Sequence, residues 1–207
     1  GVVIANPNAP TGRSVDLEDI RRVLEEHRDV VVLVDEAYVD FGGVSADTLL
    51  KEYDNLVVVR TLSKSRALAG LRVGYALGSP NLISGLCCVR DSINSYTVDR
   101  LAQAGAVAAL EDGPYFEEMR ERVIRTRERT EERLRAMGFA VLESKANFLF
   151  VSHPKRTGKA LLDGLREQGI LVRWFDRPRI GNYLRISVGT DDEMDALRAA
   201  LKALTEG

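Results

Sequence analysis

The feature that most constrains the fold is a pair of unbroken apolar runs, VVVLV at residues 30–34 and VVV at 57–59, each cut off by polar residues. Short β-branched runs of this kind suit strands covered on both faces, the habit of parallel sheets. Around them lies helical periodicity. Val15, Leu17, Ile20, Val23 and Leu24 recur at helical spacing with charges between, which predicts a helix to about His27 capped by Ser14 or Asp16. Residues 1–6 (GVVIAN) read as a strand, 45–52 as a second crossover and 73–77 (VGYAL) as a further strand. Strand, helix, strand, crossover, strand predicts an α/β class: a mostly parallel sheet with helices on both faces. No element precedes the first strand, so the chain is expected to begin inside its domain.

Beyond residue 78 the pattern changes. Small-residue helices are expected over 80–91 and 99–112, separated by a polar stretch at 92–97 that either lines a pocket or merely connects. A long charged helix follows at 117–137, with a sparse stripe of Met119, Val123, Ile124, Leu134 and Met137, and Gly138 ends it. Strands at 140–142, 148–151, 169–174 and 183–187 then alternate with helices at 157–168 and 193–204, an α+β pattern. The expected organisation is a large domain over 1–115, an interdomain helix over 116–137 and a small C-terminal domain over 138–207.

Composition narrows the function classes. With 45% hydrophobic residues, 29% charged and a net charge of −2, the chain can bury a full core and lacks the basic excess of a nucleic-acid surface. No apolar run approaches the ~18 residues of a membrane span. The only cysteines, Cys87 and Cys88, are adjacent, a poor geometry for a disulfide, and neither they nor His27 and His153 give a metal-ligand spacing. The expected location is the cytoplasm and no metal is expected.

Chemistry is expected where the strands end. After 57–59 comes RTLSKSRALAGLRVGY, a hydroxyl-rich turn containing Lys64 and, eight residues on, Arg72. In open α/β sheets ligands collect at the carboxyl ends of strands, so Lys64 could attack a carbonyl while Thr61, Ser63 and Arg72 hold an anion; the plain alternative is a solvated lysine at a strand exit. Asp35 ends the other apolar run, where an unpaired carboxylate is costly, so it needs a cation: a protonated ring nitrogen of a ligand, or an arginine from elsewhere in the fold. Tyr38, three residues on, can reach the same ligand. The turn PNAPTG at 7–12 is held by two prolines and a glycine, as a ligand-facing loop or a connector. Arg185 interrupts an apolar strand, which marks either a salt bridge or an anion site.

Four motifs, NPNAPTG at 6–12, VDEAYVDF at 34–41, RTLSKSRALAGLRVGY at 60–75 and YLRISVGT at 183–190, resemble in order and spacing those of fold-type I pyridoxal-phosphate aminotransferases, the histidinol-phosphate aminotransferases among them. The resemblance covers essentially the whole chain. It implies pyridoxal 5′-phosphate as cofactor, with Lys64 as the Schiff-base lysine that moves the proton between substrate Cα and cofactor C4′, and Asp35 as partner of the pyridinium nitrogen. Tyr38 is similar to the tyrosine on the cofactor's 3′ oxygen, and Thr61, Ser63 and Arg72 to the phosphate-binding set. Arg185 is similar to the arginine that holds the substrate's anionic group, and Asn147 to a substrate-side asparagine. The family's asparagine before Pro-Thr-Gly is replaced by Ala9, leaving Asn8 as its neighbour to substitute and Tyr38 to carry more of the contact.

The implied reaction is transamination of histidinol phosphate with glutamate and 2-oxoglutarate, in histidine biosynthesis, by a cytoplasmic homodimer acting on small molecules, with no nucleic-acid or membrane partner. The family's N-terminal arm, phosphate-capping glycine loop, ring-stacking aromatic residue and cross-subunit tyrosine have no counterpart here. The chain is therefore expected to be a fragment with weak cofactor affinity and little or no turnover alone. Three rival readings are a threonine-phosphate decarboxylase, an aromatic amino-acid transaminase, and a cofactor-free relic or interaction module on the same scaffold.

Overall fold

The structure, a computed structural model, describes residues 1–206. Its contacts divide the chain into two compact units: Gly1–Asn8 with Ser14–Arg120, and Ala9–Arg13 with the chain from Glu121 onward.

The first unit is built on four strands, β1 (Val2–Ala5), β2 (Val32–Asp35), β3 (Leu56–Thr61) and β4 (Gly74–Gly78), in that spatial order. The first three are parallel, with Ala5 beside Asp35 and Asp35 beside Val59. β4 returns antiparallel to β3, placing Gly74 opposite Thr61. The apolar runs thus form the interior strands of a mostly parallel sheet.

Alternation sorts their side chains. Val32, Val34, Leu56 and Val58 face Ile20 and Leu24 of helix α1 (Leu17–Glu26) together with Ala46 and Leu49, forming one core. Fully burying one such side chain is worth ~1.5–3 kcal/mol. On the opposite face, Ile83 of α2 (Pro80–Ile93) approaches to 3.7 Å of where a Cβ on Gly78 would stand. That opposite face carries Asp35 and Thr61.

Two expectations are corrected in this unit. The crossover at 45–52 contains a 3-10 turn, Ala46–Leu49, because the Ser45 hydroxyl accepts the Asp47 N–H and closes a tight turn in place of a helix. The charged helix, α4 (Gly113–Ala136), starts at Gly113 rather than 117, directly after α3 (Arg100–Glu111). Asp112 accepts the Tyr115 N–H, and Pro114 is tolerated in a first turn.

The second unit holds a four-stranded antiparallel sheet in the order β5 (Ala140–Val141), β6 (Phe148–Ser152), β8 (Leu184–Ser187), β7 (Arg173–Trp174). Leu149, Val151, Leu184 and Ile186 pack with Leu161 and Leu165 of α5 (Gly158–Glu167) and Leu197 and Leu201 of α6 (Asp191–Glu206). The strand expected over 169–174 shortens to its last two residues. Gly169, at φ +76°, closes α5 in the left-handed region, and the Ile170 N–H turns back to the Leu165 carbonyl instead of joining the sheet. The part of α4 in this unit buries Thr126, Arg127, Thr130 and Leu134, so its inward face is partly polar where an apolar stripe was expected. The buried Arg127 donates to the Ala146 carbonyl at 2.9 Å, and burial weakens its guanidinium's hold on the proton.

Candidate functional site

β2 and β3 run side by side, β3 continuing two residues past the partner of Asp35, so the first unit gathers its chemistry at one edge. Asp35 is the last residue of β2 and is half-buried; its Oδ1 accepts the Ala37 N–H at 3.0 Å. Among the described residues no cationic side chain lies within ion-pair distance of it. The arginine alternative is realised one residue on, at Glu36. That side chain has no exposed surface, accepts Arg60 Nε at 2.9 Å and Ser45 Oγ at 2.7 Å, and takes the Ala46 N–H at 2.6 Å. Arg60 also bridges Asp47 at 2.8 Å. Burial works against the Arg60 charge, but hydrogen bonds with Tyr75 and Glu36 more than offset it and strengthen the guanidinium's hold on its proton. Strand alternation explains the division of labour: Glu36 and Arg60 share the packed face, whereas Asp35 and Thr61 share the other.

Thr61 lies two residues beyond Val59, the partner of Asp35, hence ~7 Å further along the strand. Its Oγ1 donates to Ser63 Oγ at 2.8 Å and accepts the Ser63 N–H at 3.1 Å, so the two hydroxyls form one cluster. Lys64 is exposed, with Nζ 5.4 Å from the Tyr38 ring centroid and no hydrogen bond or ion pair among the described residues. Tyr38 directly precedes a 3-10 turn, Val39–Phe41, that follows β2. Arg72 is exposed and left-handed at φ +55°, and one Nη donates to the Ala69 carbonyl at 2.9 Å. Asn8 is half-buried beyond the end of β1, while the fully enclosed asparagine is Asn6, whose side chain brackets the Val15 backbone at 2.8 and 3.2 Å.

These residues fit pyridoxal phosphate. The structural test is Asp35: a half-buried carboxylate at a strand end, left without a cation while its neighbour Glu36 takes the arginine. A protonated ring nitrogen would complete it. Thr61, Ser63 and Arg72 supply hydroxyl and guanidinium donors for a phosphate, and Lys64 an unengaged amine for an aldehyde.

In the second unit Arg185 stands on β8 opposite Phe150 on one side and Arg173 on the other. Its guanidinium lies 5.2 Å from the Phe148 ring and 5.7 Å from the Phe175 ring, and Arg173 lies 5.4 Å from that same Phe175 ring. Two like charges directly across a strand pair repel. The Arg185 Nε is buried with no hydrogen-bond partner. The chemistry of this pair suits an anion, and Arg173 is a neighbour that the sequence alone did not single out; its signal was a second arginine in a short strand next to the same aromatic. Asn147, just before β6, is half-buried, and its carbonyl accepts the Val188 N–H at 2.9 Å. Among the described residues no group of three or more His, Cys, Asp or Glu is arranged to hold a metal, and no helix is long and apolar enough to cross a membrane.

Comparison with known proteins gives the family and the fold. A family model described as aminotransferase class I and II matches residues 1–201. The chain is 54% identical over 202 residues to a histidinol-phosphate aminotransferase of Clostridium acetobutylicum and 56% identical over 206 residues to one of a Marinomonas species. These matches cover 98% and 99% of the chain but 57% and 58% of those relatives, so the chain spans a little over half their length. Among solved structures it resembles histidinol-phosphate aminotransferase from Sinorhizobium meliloti in complex with pyridoxal-5′-phosphate, at 30% identity and a TM-score of 0.86, over 98% of the chain and 56% of that protein.

Proposed function

The chain belongs to the class I and II aminotransferases, and on that premise we propose that it carries the lysine-bearing and substrate-anion halves of a pyridoxal-phosphate-dependent transaminase acting on histidinol phosphate, with glutamate and 2-oxoglutarate as the second pair. The observation that carries the cofactor assignment is the pairing of an uncompensated Asp35 with an unengaged Lys64 at adjacent strand ends. The substrate assignment is supported by the names of the close relatives and by Arg173 and Arg185, whose two guanidinium groups suit a doubly charged phosphate better than a single carboxylate.

Pyridoxal phosphate, when bound, supplies an aldehyde for amines and a ring that accepts the electron pair released when a Cα–H bond breaks. The chain's residues do the rest. The Asp35 carboxylate holds the proton on the ring nitrogen, which keeps the ring electron-poor. Thr61, Ser63 and Arg72 bind the phosphate and fix the ring's orientation. Tyr38 offers a phenol to the ring oxygen, with Asn8 as a second polar group near the strand end. Lys64 would hold the cofactor through its amine and, once freed by the substrate, would take the proton from the substrate Cα and carry it for return. Arg185 and Arg173 hold the substrate's anion, and Asn147 offers an amide beside them.

We further propose a homodimer, supported by the exposed apolar side chains of α2 and α3, among them Val89, Ile93, Leu101 and Val107, and a cytoplasmic location, supported by the free thiols of Cys87 and Cys88. Product analysis of the full-length parent tests the reaction, because this chain alone is expected to turn over little or nothing. From histidinol phosphate with 2-oxoglutarate the parent should give glutamate and a phosphorylated ketone without gas release; carbon dioxide from threonine phosphate would assign a decarboxylase instead, and a chain that forms no lysine-dependent absorbance band with pyridoxal 5′-phosphate would point to a relic.

A further inference from the structure

Lys64, Ser65 and Arg66 are consecutive, and each reaches a different part of the first unit. Lys64 Nζ sits over the Tyr38 ring. The Ser65 hydroxyl donates to the carboxylate of Asp40, two residues beyond Tyr38. The Arg66 guanidinium lies 3.6 Å from the Phe116 ring centroid in the first turn of α4. Its Nη1 also donates to the carbonyl of Ala109, one of the last-turn carbonyls that α3 cannot pair internally. A planar cation can stack on a ring face and donate in its own plane at once, which an ammonium cannot do.

The turn these contacts hold is not stable by its own geometry. Ala67 has φ +55°, a left-handed conformation that strains any residue with a Cβ. Few backbone bonds close the turn, among them Ala67 N–H to the Lys64 carbonyl at 3.1 Å and Leu68 N–H to the Leu62 carbonyl at 3.0 Å. Lys64 itself is exposed, and Tyr38 is the ring its amine faces.

We propose that Ser65 and Arg66 are positioning residues for Lys64: Ser65 ties the turn to the segment that bears Tyr38, Arg66 ties it to the α3–α4 corner, and together they set where the lysine amine stands. The proposal rests on the reading of Lys64 as the cofactor-linked lysine, although the clamp can be measured without cofactor.

The experiment compares the whole chain as Arg66→Ala, Arg66→Lys, Ser65→Ala and Phe116→Leu, with Lys64→Ala as control. Hydrogen exchange is followed at the amides of Ala67 and Leu68, and the lysine-dependent absorbance band with pyridoxal 5′-phosphate is titrated against concentration and pH. Arg66→Ala should speed exchange at both amides on the order of tenfold, leave α1 and β2 unchanged, and weaken formation of the band about tenfold. Arg66→Lys should restore the band only in part, because it keeps charge and donor but loses the stacked plane. Should Arg66→Ala not fold, Ser65→Ala and Phe116→Leu decide by the same two readouts. Parent-like exchange together with a parent-like band in these variants overturns the proposal. A parent band that survives Lys64→Ala would instead refute the lysine assignment, and the exchange data would still judge the clamp.

Discussion

Arg185 is a single residue whose surroundings point to anion binding, because a cation stands opposite another cation, flanked by two aromatic rings, with a buried donor left over. Removing it, or Arg173, should cost a charge-assisted contact of about 1.5–3 kcal/mol, hence tenfold or more in affinity for inorganic phosphate measured by calorimetry. Equal affinity in both alanine variants would reject the anion site. The motif exposed Arg185, but Arg173 was hidden because a cross-strand partner is defined by register, which the residues alone do not reveal. The same holds for Asp35. Its need for a cation was legible, whereas the capture of Arg60 by Glu36 depends on which face of the strand each residue occupies. Gly12 shows the reverse case. The glycine in this turn was legible, and the structure adds φ +78° and a close approach, since a Cβ there would stand 2.4 Å from Ser144 Oγ.

Between elements, the Glu36–Arg60 pair ties the end of β2 to the end of β3 behind the site. A buried pair broken on one side is destabilising by ~3–5 kcal/mol, so Glu36→Gln should lower the denaturant midpoint markedly. The double variant with Arg60→Met should lose less than the sum of the two single losses. In the second unit, Asp191 at the start of α6 is bound by Thr126 at 2.7 Å and Arg129 at 2.6 Å from α4, and these hold its carboxyl below the ordinary aspartate range. A depressed carboxyl stabilises the fold above its unfolded pKa and loses that contribution as pH falls through the folded one. The α4–α6 tie should therefore be intact at neutral pH and weaken below about pH 4, read as a melting temperature that falls less with acid in Asp191→Asn than in the parent. The helices of this tie were legible from periodicity; the polar inward face of α4 was not, because an arginine or threonine on a charged helix reads as solvated until its acceptor is known.

For the molecule as a whole, the parallel strands, the lysine turn and the alternating strands and helices of the C-terminal unit followed from apolar runs and turn residues, because those signals are local. Lost were the antiparallel return of β4 and the long-range contacts of Ser65 and Arg66 beside Lys64, which are set by distance in sequence, and the 3-10 turn at Ala46–Leu49, where one local hydroxyl contact decides between turn and helix. The proposed chemistry depends on the amine of Lys64 being the one that meets the aldehyde of pyridoxal phosphate. The direct measurement is borohydride reduction of the chain mixed with limiting pyridoxal 5′-phosphate, followed by peptide mass mapping. The label is predicted on Lys64 ahead of every other lysine, and it should vanish from that peptide in Lys64→Ala. A label spread evenly over the surface lysines, with Lys64 no faster than the rest, would contradict that assignment.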